Sequence, residues 1–267
     1  MEPMLNIALR AARNAGEIVA RATEQIDMLE VKEKCANDFV TEIDQAAEKE
    51  VIYHISKAHP DHAFLGEEGG LQGNADSDYQ WIIDPIDGTT NFVRGIPHFA
   101  ISIACMYKGQ LEHAVILDPI RREEFTASRG KGAQLNGRRM RVSANKSLDG
   151  TLIGTGIPFK SRSEVYIPAY TQSLAAVASQ TAGIRRAGAA SLDLAYVAAG
   201  RLDAFWEIAL NKWDIAAGVL LVRESGGLVS DFNGGSGFME SGNIVAGNPK
   251  CFKALLQTVQ PHLKHIS

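Results

Sequence analysis

Carboxylates gather at three places in this sequence, each where an apolar stretch gives way to a turn. YQWIIDPIDGTTNF, residues 79–92, sets Asp84 and Asp87 on either side of Pro85 and Ile86, followed by Gly88 and Thr89. LGEEGG at 65–70 pairs Glu67 with Glu68, and WDIAAG at 213–218 puts Asp214 in the first turn of an apolar helical pattern. Like charges this close repel, so a species of opposite sign is expected among them. Pro85 fixes its own φ and biases Asp84 toward extended backbone. Gly88 permits close backbone approach, and the amides of Gly88 and Thr89, if they open a helix, point at an anion such as phosphate. A hard divalent cation bridging the carboxylates to a phosphate oxygen reconciles the two tendencies.

Each acid also has a plainer reading. DPxDG suits a β-turn with an Asx cap, and an acid in the first turn of a helix, as Asp214 is, favours the helix dipole whatever else it does. Oxygen-only ligation selects Mg²⁺, Mn²⁺ or Ca²⁺ over Zn²⁺. The histidines, at 54, 59, 62, 98, 113, 262 and 265, show no HExxH or other zinc spacing. A serine nucleophile elbow and a Walker A loop are absent too. The chemistry left standing is metal-assisted attack of water on a phosphate, with two cations about 3.5–4 Å apart and no phosphoenzyme.

Elements must carry these acids to one place. Apolar residues recur at helical spacing from Leu5 to about Ala22 and again from Ile43 to Ala58, predicting two amphipathic helices. HAFLG, YQWIID, FAISIACMY, LEHAVILD and EEFTAS then read as short strands of a mostly antiparallel, meandering sheet that ends near the hairpin GAQLNGRRMRV. YQWIID delivers Asp84 at its carboxyl end. Beyond about residue 145 strands and helices alternate: TLIGTGIPF, a helix from Tyr170 to Ser179, IRRAG, a helix from Ala190 to Ala199, DAFWEIA, a helix from Trp213 to Glu224, LVSDF, IVAGN and a final helix from Lys250. The chain is therefore expected as α+β or α/β, in two closely packed parts, 1–145 carrying most of the acids and 146–267 completing a cleft between them.

The 267 residues, 45% hydrophobic and 22% charged, suit a sizeable core with no disordered segment. Lys and Arg number 27 against 31 Asp and Glu, a net charge of −4 that argues against a general nucleic-acid binder. Cys35, Cys105 and Cys251 are odd in number and widely spaced, which suits the reducing cytoplasm. The opening residues lack the pattern of an export signal, and FAISIACMY at 99–107 is far short of the roughly 20 apolar residues of a membrane span. No membrane association is expected.

Asp44, GEE at 66–68, DPIDGTTNF at 84–92 and WDIAAG at 213–218 together resemble the inositol monophosphatase family of Mg²⁺-dependent, Li⁺-inhibited phosphatases, with similarity running end to end. That resemblance implies a layered αβαβα sandwich of the sugar-phosphatase type shared with fructose-1,6-bisphosphatase, a homodimer, and hydrolysis of myo-inositol monophosphate and related small phosphomonoesters. Carried over by motif, Glu67 and Asp84 with the carbonyl of Ile86 would hold one Mg²⁺, and Asp84, Asp87 and Asp214 a second. A third is implied near Glu67 for some members. Asp44, Glu67 and Thr89 would serve catalysis, Glu67 with Thr89 orienting the attacking water. Amides of Gly88 and Thr89 would receive the phosphate, while Asp87, Ala190 and Glu207 would meet substrate hydroxyls, with Asp214 beside them. Plainer readings stand next to these: Asp44 has capping-box spacing from Thr41, Ala190 is a small residue at a helix start, and Glu207 is a strand acid. Two departures, KEKCANDF at 32–39 and Gly69 where Ser is common, bear on the third cation.

Fructose-1,6-bisphosphate, 3′-phosphoadenosine 5′-phosphate and NADP(H) phosphatases share the metal motif and are alternatives. A different class of function comes from MLNIALRAAR at 4–13 and RRAGAASLDLAYVAAGRLDAFWE at 185–207, which look like a bacterial branch of the family. The branch implies association with transcription antitermination and ribosomal RNA synthesis through NusA and RNA polymerase. Arg129, Lys131, Arg138, Arg139, Arg141 and Lys146 around one hairpin, with the pairs Arg121–Arg122 and Arg185–Arg186, are the residues that would contact RNA or an acidic partner. The plain alternative is a solvated hairpin whose charges discourage edge pairing.

Overall fold

A computed structural model of the chain describes residues 2–24, 31–35, 38–158 and 163–266. Its first part comprises α1 (Pro3–Ala22), β1 (Val31–Cys35), β2 (Asp38–Thr41), α2 (Glu42–Ala58), β3 (Ala63–Gly66), β4 (Gly70–Gly73), β5 (Tyr79–Asp87), α3 (Thr89–Val93), β6 (Ala100–Tyr107), β7 (Gln110–Asp118), β8 (Glu123–Ser128), β9 (Gly132–Leu135) and β10 (Arg138–Arg139). The remainder comprises β11 (Leu152–Thr155), α4 (Ser163–Ala178), β12 (Gly183–Arg185), α5 (Ala190–Ala198), β13 (Ala204–Glu207), α6 (Lys212–Glu224), β14 (Leu228–Ser230), α7 (Phe238–Ser241), β15 (Ile244–Gly247) and α8 (Pro249–Leu263).

Side-chain alternation along the strands sorts these elements into layers. Trp81, Ile83, Ile101, Ile103, Cys105, Val115 and Leu117 point to one face of the first sheet and pack on the apolar stripes of α1 and α2. Ile82, Ala104, Ala114, Ile116 and Phe125 point the other way, onto α5 and α6. Those helices also cover the inner face of the second sheet, through Phe205, Ile244 and Ala246. Its outer face, with Ile153, Ala204, Trp206 and Val245, packs on α4 and α8. The result is αβαβα, the layered sandwich expected from the resemblance.

The first sheet runs β10-β9-β8-β7-β6-β5-β3-β4, antiparallel except where β3 pairs parallel with β5. The second runs β12-β11-β13-β15-β14, with parallel pairs at β11–β12 and β11–β13 and antiparallel pairs at β13–β15 and β14–β15. No helix among the described residues is long and apolar enough to cross a membrane.

Two sequence expectations need correction. YQWIID does not stop at Asp84: β5 continues to Asp87, with Asp84 opposite Ser102 and Asp87 opposite Ala100, so β5 carries one residue more than β6 across this step. A proline inside a central strand requires such a bulge. The extra residue also breaks the alternation of faces, which brings Asp84 and Asp87 toward one side although they are an odd number of positions apart. The helix expected from Tyr170 begins at Ser163 and contains Pro168, the residue that reads as a break in sequence. Ala36 and Asn37 of KEKCANDF, Phe159 of TLIGTGIPF and the side chain of Thr41, the proposed capping partner of Asp44, lie outside the described residues.

Candidate functional site

Each predicted acid stands at the end of an element, and the layers bring those ends to one seam. Glu67 follows β3, where its amide continues the parallel pairing by donating to the Ile83 carbonyl at 3.1 Å. Asp84 and Asp87 come from the bulged end of β5, and Glu207 ends β13. Asp214 lies in the first turn of α6, which is pinned to β6 by the Ser102 hydroxyl donating to the Trp213 carbonyl at 3.2 Å. Together with Ile86, Gly88, Thr89 and Ala190, these acids line a cavity of about 490 Å³. Of the ten predicted site residues, only Asp44 stands behind its wall rather than on it.

Burial and mutual repulsion dominate the electrostatics. Asp84 is pushed well above the ordinary carboxylate range by burial, then by the charges of Glu67, Asp87 and Asp214. Burial and Asp87 do the same to Asp214, against a hydrogen bond from the Asn211 amide. Glu207 is raised by burial, Asp193 and Asp87, with Arg186 opposing. Asp87 is raised by burial to about 6, held down by hydrogen bonds from the start of α5. Such a set is short of positive charge. Among the described residues no three carboxylate, imidazole or thiolate groups already surround one metal-sized point. Local donors engage some of their oxygens. The donor chemistry nevertheless fits a hard cation, since the described lining contains carboxylates and carbonyls with no cysteine or histidine.

Several residues make the local contacts of their plain readings while also lining the cavity. The Ile86 amide donates to Asp84 Oδ1 at 3.0 Å, the Asx turn that DPxDG suggests. The Asn211 amide donates to Asp214 Oδ2 at 2.7 Å, so this acid serves the end of its own helix while lining the cavity. Gly88, at φ 95°, turns the chain into α3, and Thr89 does open a helix as the anion-binding reading requires. The Thr89 hydroxyl is shared between Asp44 Oδ1 at 3.2 Å and the Ile86 carbonyl at 3.0 Å. Asp44 is fully buried. Glu207 packs so closely on Gly156 that a Cβ there would lie 1.7 Å from its Oε1.

Sequence reasoning missed three supporting residues. Glu48, buried on α2, accepts from the amides of Glu68 at 2.9 Å and Gly69 at 2.8 Å, which fixes the loop carrying Glu67. Its signal was available, an acid four residues after Asp44 on the apolar face of the helix. Asn91 donates to the carbonyls of His98 at 2.8 Å and Ala187 at 2.9 Å, tying α3 to the approach to α5. Ser191 donates through both its amide and its hydroxyl to Asp87. Neither of these two has a local cue.

Comparison with known proteins agrees with this geometry. A model of the inositol monophosphatase family matches residues 1–264. A relative described as Nus factor SuhB, from Pseudomonas aeruginosa, is 63% identical over 265 residues, covering 98% of each chain. Among solved structures, the extragenic suppressor protein suhB of Bartonella henselae superposes with a TM-score of 0.94 at 43% identity, covering 97% of this chain and 98% of that one. The IMPase of Thermotoga maritima superposes with a TM-score of 0.87 at 35% identity, covering 98% and 99%.

Proposed function

The chain belongs to the inositol monophosphatase family, and from that membership we propose that it is a Mg²⁺-dependent phosphatase that hydrolyses myo-inositol monophosphate and related small phosphomonoesters. The observation that carries the reading is the convergence of Glu67, Asp84, Asp87 and Asp214 on one cavity, beside a hydroxyl–carboxylate pair, Thr89 and Asp44. Mg²⁺ would be held by Glu67, Asp84, the Ile86 carbonyl, Asp87 and Asp214 as two ions, with a third near Glu67 as in some family members, and would supply polarisation of the phosphate and acidification of water.

The protein's own groups do the rest. Amides of Gly88 and Thr89 face the phosphate at the start of α3. Glu67 and the Thr89 hydroxyl orient water in line with the ester; its oxygen bonds to phosphorus as the ester P–O bond breaks. Asp44, buried behind Thr89, accepts a hydrogen bond from the Thr89 hydroxyl and so turns that oxygen's lone pair toward the water. The proton that the attacking water gives up passes through solvent to the leaving alkoxide, which departs as inositol. Asp87, Ala190 and Glu207 meet the substrate hydroxyls, and the close packing of Glu207 on Gly156 fixes where its carboxylate stands.

Phosphate release from myo-inositol 1-phosphate, fructose-1,6-bisphosphate, 3′-phosphoadenosine 5′-phosphate and NADP(H), with Mg²⁺ and with or without Li⁺, tests this directly. Fastest Mg²⁺-dependent, Li⁺-sensitive release from the inositol ester is expected. Equal release after chelation, or none from any substrate, rejects it. A homodimer is part of the same reading, to be checked by sedimentation, as is a cytoplasmic location, which the buried free thiols of Cys105 and Cys251 suit.

A second role is favoured by kinship with the Nus factor SuhB of Pseudomonas aeruginosa. In this reading the chain also joins an antitermination complex with NusA, RNA polymerase or RNA. Arg121 and Arg129 are engaged by Asp118 and Glu112, whereas Arg138 and Arg139 lie exposed on the edge strand β10. Capture of NusA or RNA across a salt series tests it, since phosphate contacts weaken steeply with salt. Absence of both at low salt removes this role and leaves the phosphatase untouched.

A further inference from the structure

Asp87 is gripped from across the seam. It stands on β5, yet its carboxylate caps α5, whose N-cap residue, Ala189, makes no side-chain cap. Ser191 supplies two donors to the same oxygen: its amide lies 2.7 Å and its hydroxyl 2.5 Å from Asp87 Oδ2. Ser191 is 0% exposed and Asp87 8%, so water does not compete for these bonds. The amides of Ala190 and Leu192 also bond to this carboxylate, so the backbone at the start of α5 grips it from one side. The Ser191 hydroxyl adds a side-chain donor to these backbone amides and restricts the swing that remains to the carboxylate.

We propose that the Ser191 hydroxyl is a positioning group that sets the affinity and size selectivity of the divalent-cation site by holding Asp87 in a single orientation. This rests on the reading above, in which Asp87 is a cation ligand. Mg²⁺ demands near-ideal octahedral geometry at short distances, whereas Ca²⁺ accepts six to eight oxygens in flexible arrangements. A carboxylate that can swing therefore penalises Mg²⁺ more than Ca²⁺. Groups that orient a ligand in this way contribute substantially to metal affinity.

The test is calorimetric titration of the chelator-treated full chain with Mg²⁺ alone and with Ca²⁺ alone, for the wild type and Ser191→Ala. The variant is expected to bind Mg²⁺ roughly tenfold more weakly while Ca²⁺ changes by less than about twofold. A merely structural serine gives a different pattern, a lower melting temperature without cation and equal weakening for both ions. Equal weakening, or Mg²⁺ affinity within about twofold of wild type, overturns the proposal. If the alanine variant does not fold, Ser191→Cys, similar in shape but a weaker donor, is measured in the same way and must move the Mg²⁺ to Ca²⁺ ratio in the same direction. A wild type that binds no Mg²⁺ removes the proposed function along with this inference; a wild type that binds it, with an unchanged variant ratio, removes this inference alone.

Discussion

Buried acids occur in two kinds of surroundings in this protein. Asp203, ahead of β13, accepts from the Ser143 hydroxyl at 2.6 Å, the Asn145 amide group at 2.7 Å and the Leu152 amide at 2.9 Å. Asp231, only partly buried, accepts in the same way from the amides of Asn233, Gly235 and Gly237 at 2.9, 2.8 and 3.0 Å. Donors surround these carboxylates, and their product is a folded loop. Asp84, 2% exposed, instead has other acids as its principal electrostatic neighbours. Asp203 and Asp84 are alike in burial, and their neighbours are opposite in sign. An acid among donors builds structure, while an acid among acids keeps unused capacity for a cation.

The same chemical change at the two kinds of site should therefore have opposite consequences. Asp84→Asn is expected to lower Mg²⁺-dependent phosphate release roughly a thousandfold, the few kcal/mol of charge stabilisation that a bound cation supplies. The cation-free melting temperature should stay level or rise, because a repelled charge is gone; a clear fall would break the comparison. Asp203→Asn should do the reverse, costing about 1–3 kcal/mol in chemical denaturation by leaving a buried donor without its acceptor. Turnover of its folded fraction should be preserved, and lost turnover there would blur the distinction.

A graded effect is expected from pH. Asp87 is raised to about 6 in the folded protein, above the usual Asp value of about 4. The folded state thus holds its proton more tightly than the unfolded state. Its stabilising contribution is full at low pH and is lost as pH rises from the ordinary carboxylate value through the folded one. Asp84, Asp214 and Glu207 shift in the same direction and extend the loss upward. Chelator-treated protein should melt at progressively lower temperature from about pH 4 through about pH 6 and beyond, and saturating Mg²⁺, which binds the ionised acids, should flatten the slope. A flat profile without cation would mean that the acids do not repel as described. The smallest effect is expected outside both regions. Arg138→Ala with Arg139→Ala should change stability by less than about 0.5 kcal/mol and leave phosphate release level, any larger loss pointing to a structural role for the edge strand.

What could be read in advance follows the range of each interaction. DPIDGTT announced itself because its acids, proline and glycine act on one another within a few residues, whereas the layers were expected only from the family resemblance and show in the structure as the opposite faces of Trp81–Ile83 and Phe205–Trp206. The continuation of β5 to Asp87 was hidden because a proline normally ends a central strand, and only pairing with β6 reveals the bulge. Glu48 was half legible, since its face of α2 was readable but the amides it holds, at Glu68 and Gly69, lie about twenty positions on. The bonds of Ser191 to Asp87 and of Asn91 to Ala187 were invisible because their partners are about a hundred residues away.

That Asp87 caps a helix 104 residues downstream has a consequence for synthesis. At translation rates of roughly 5–20 residues per second, this carboxylate leaves the ribosome seconds before the helix it completes. A truncated product ending ahead of Ser191 has neither the cap nor Asp214. On the proposed function, competence to grip an ion would therefore arrive only with the finished polypeptide, and loading with metal would mark a chain whose two sheets have met.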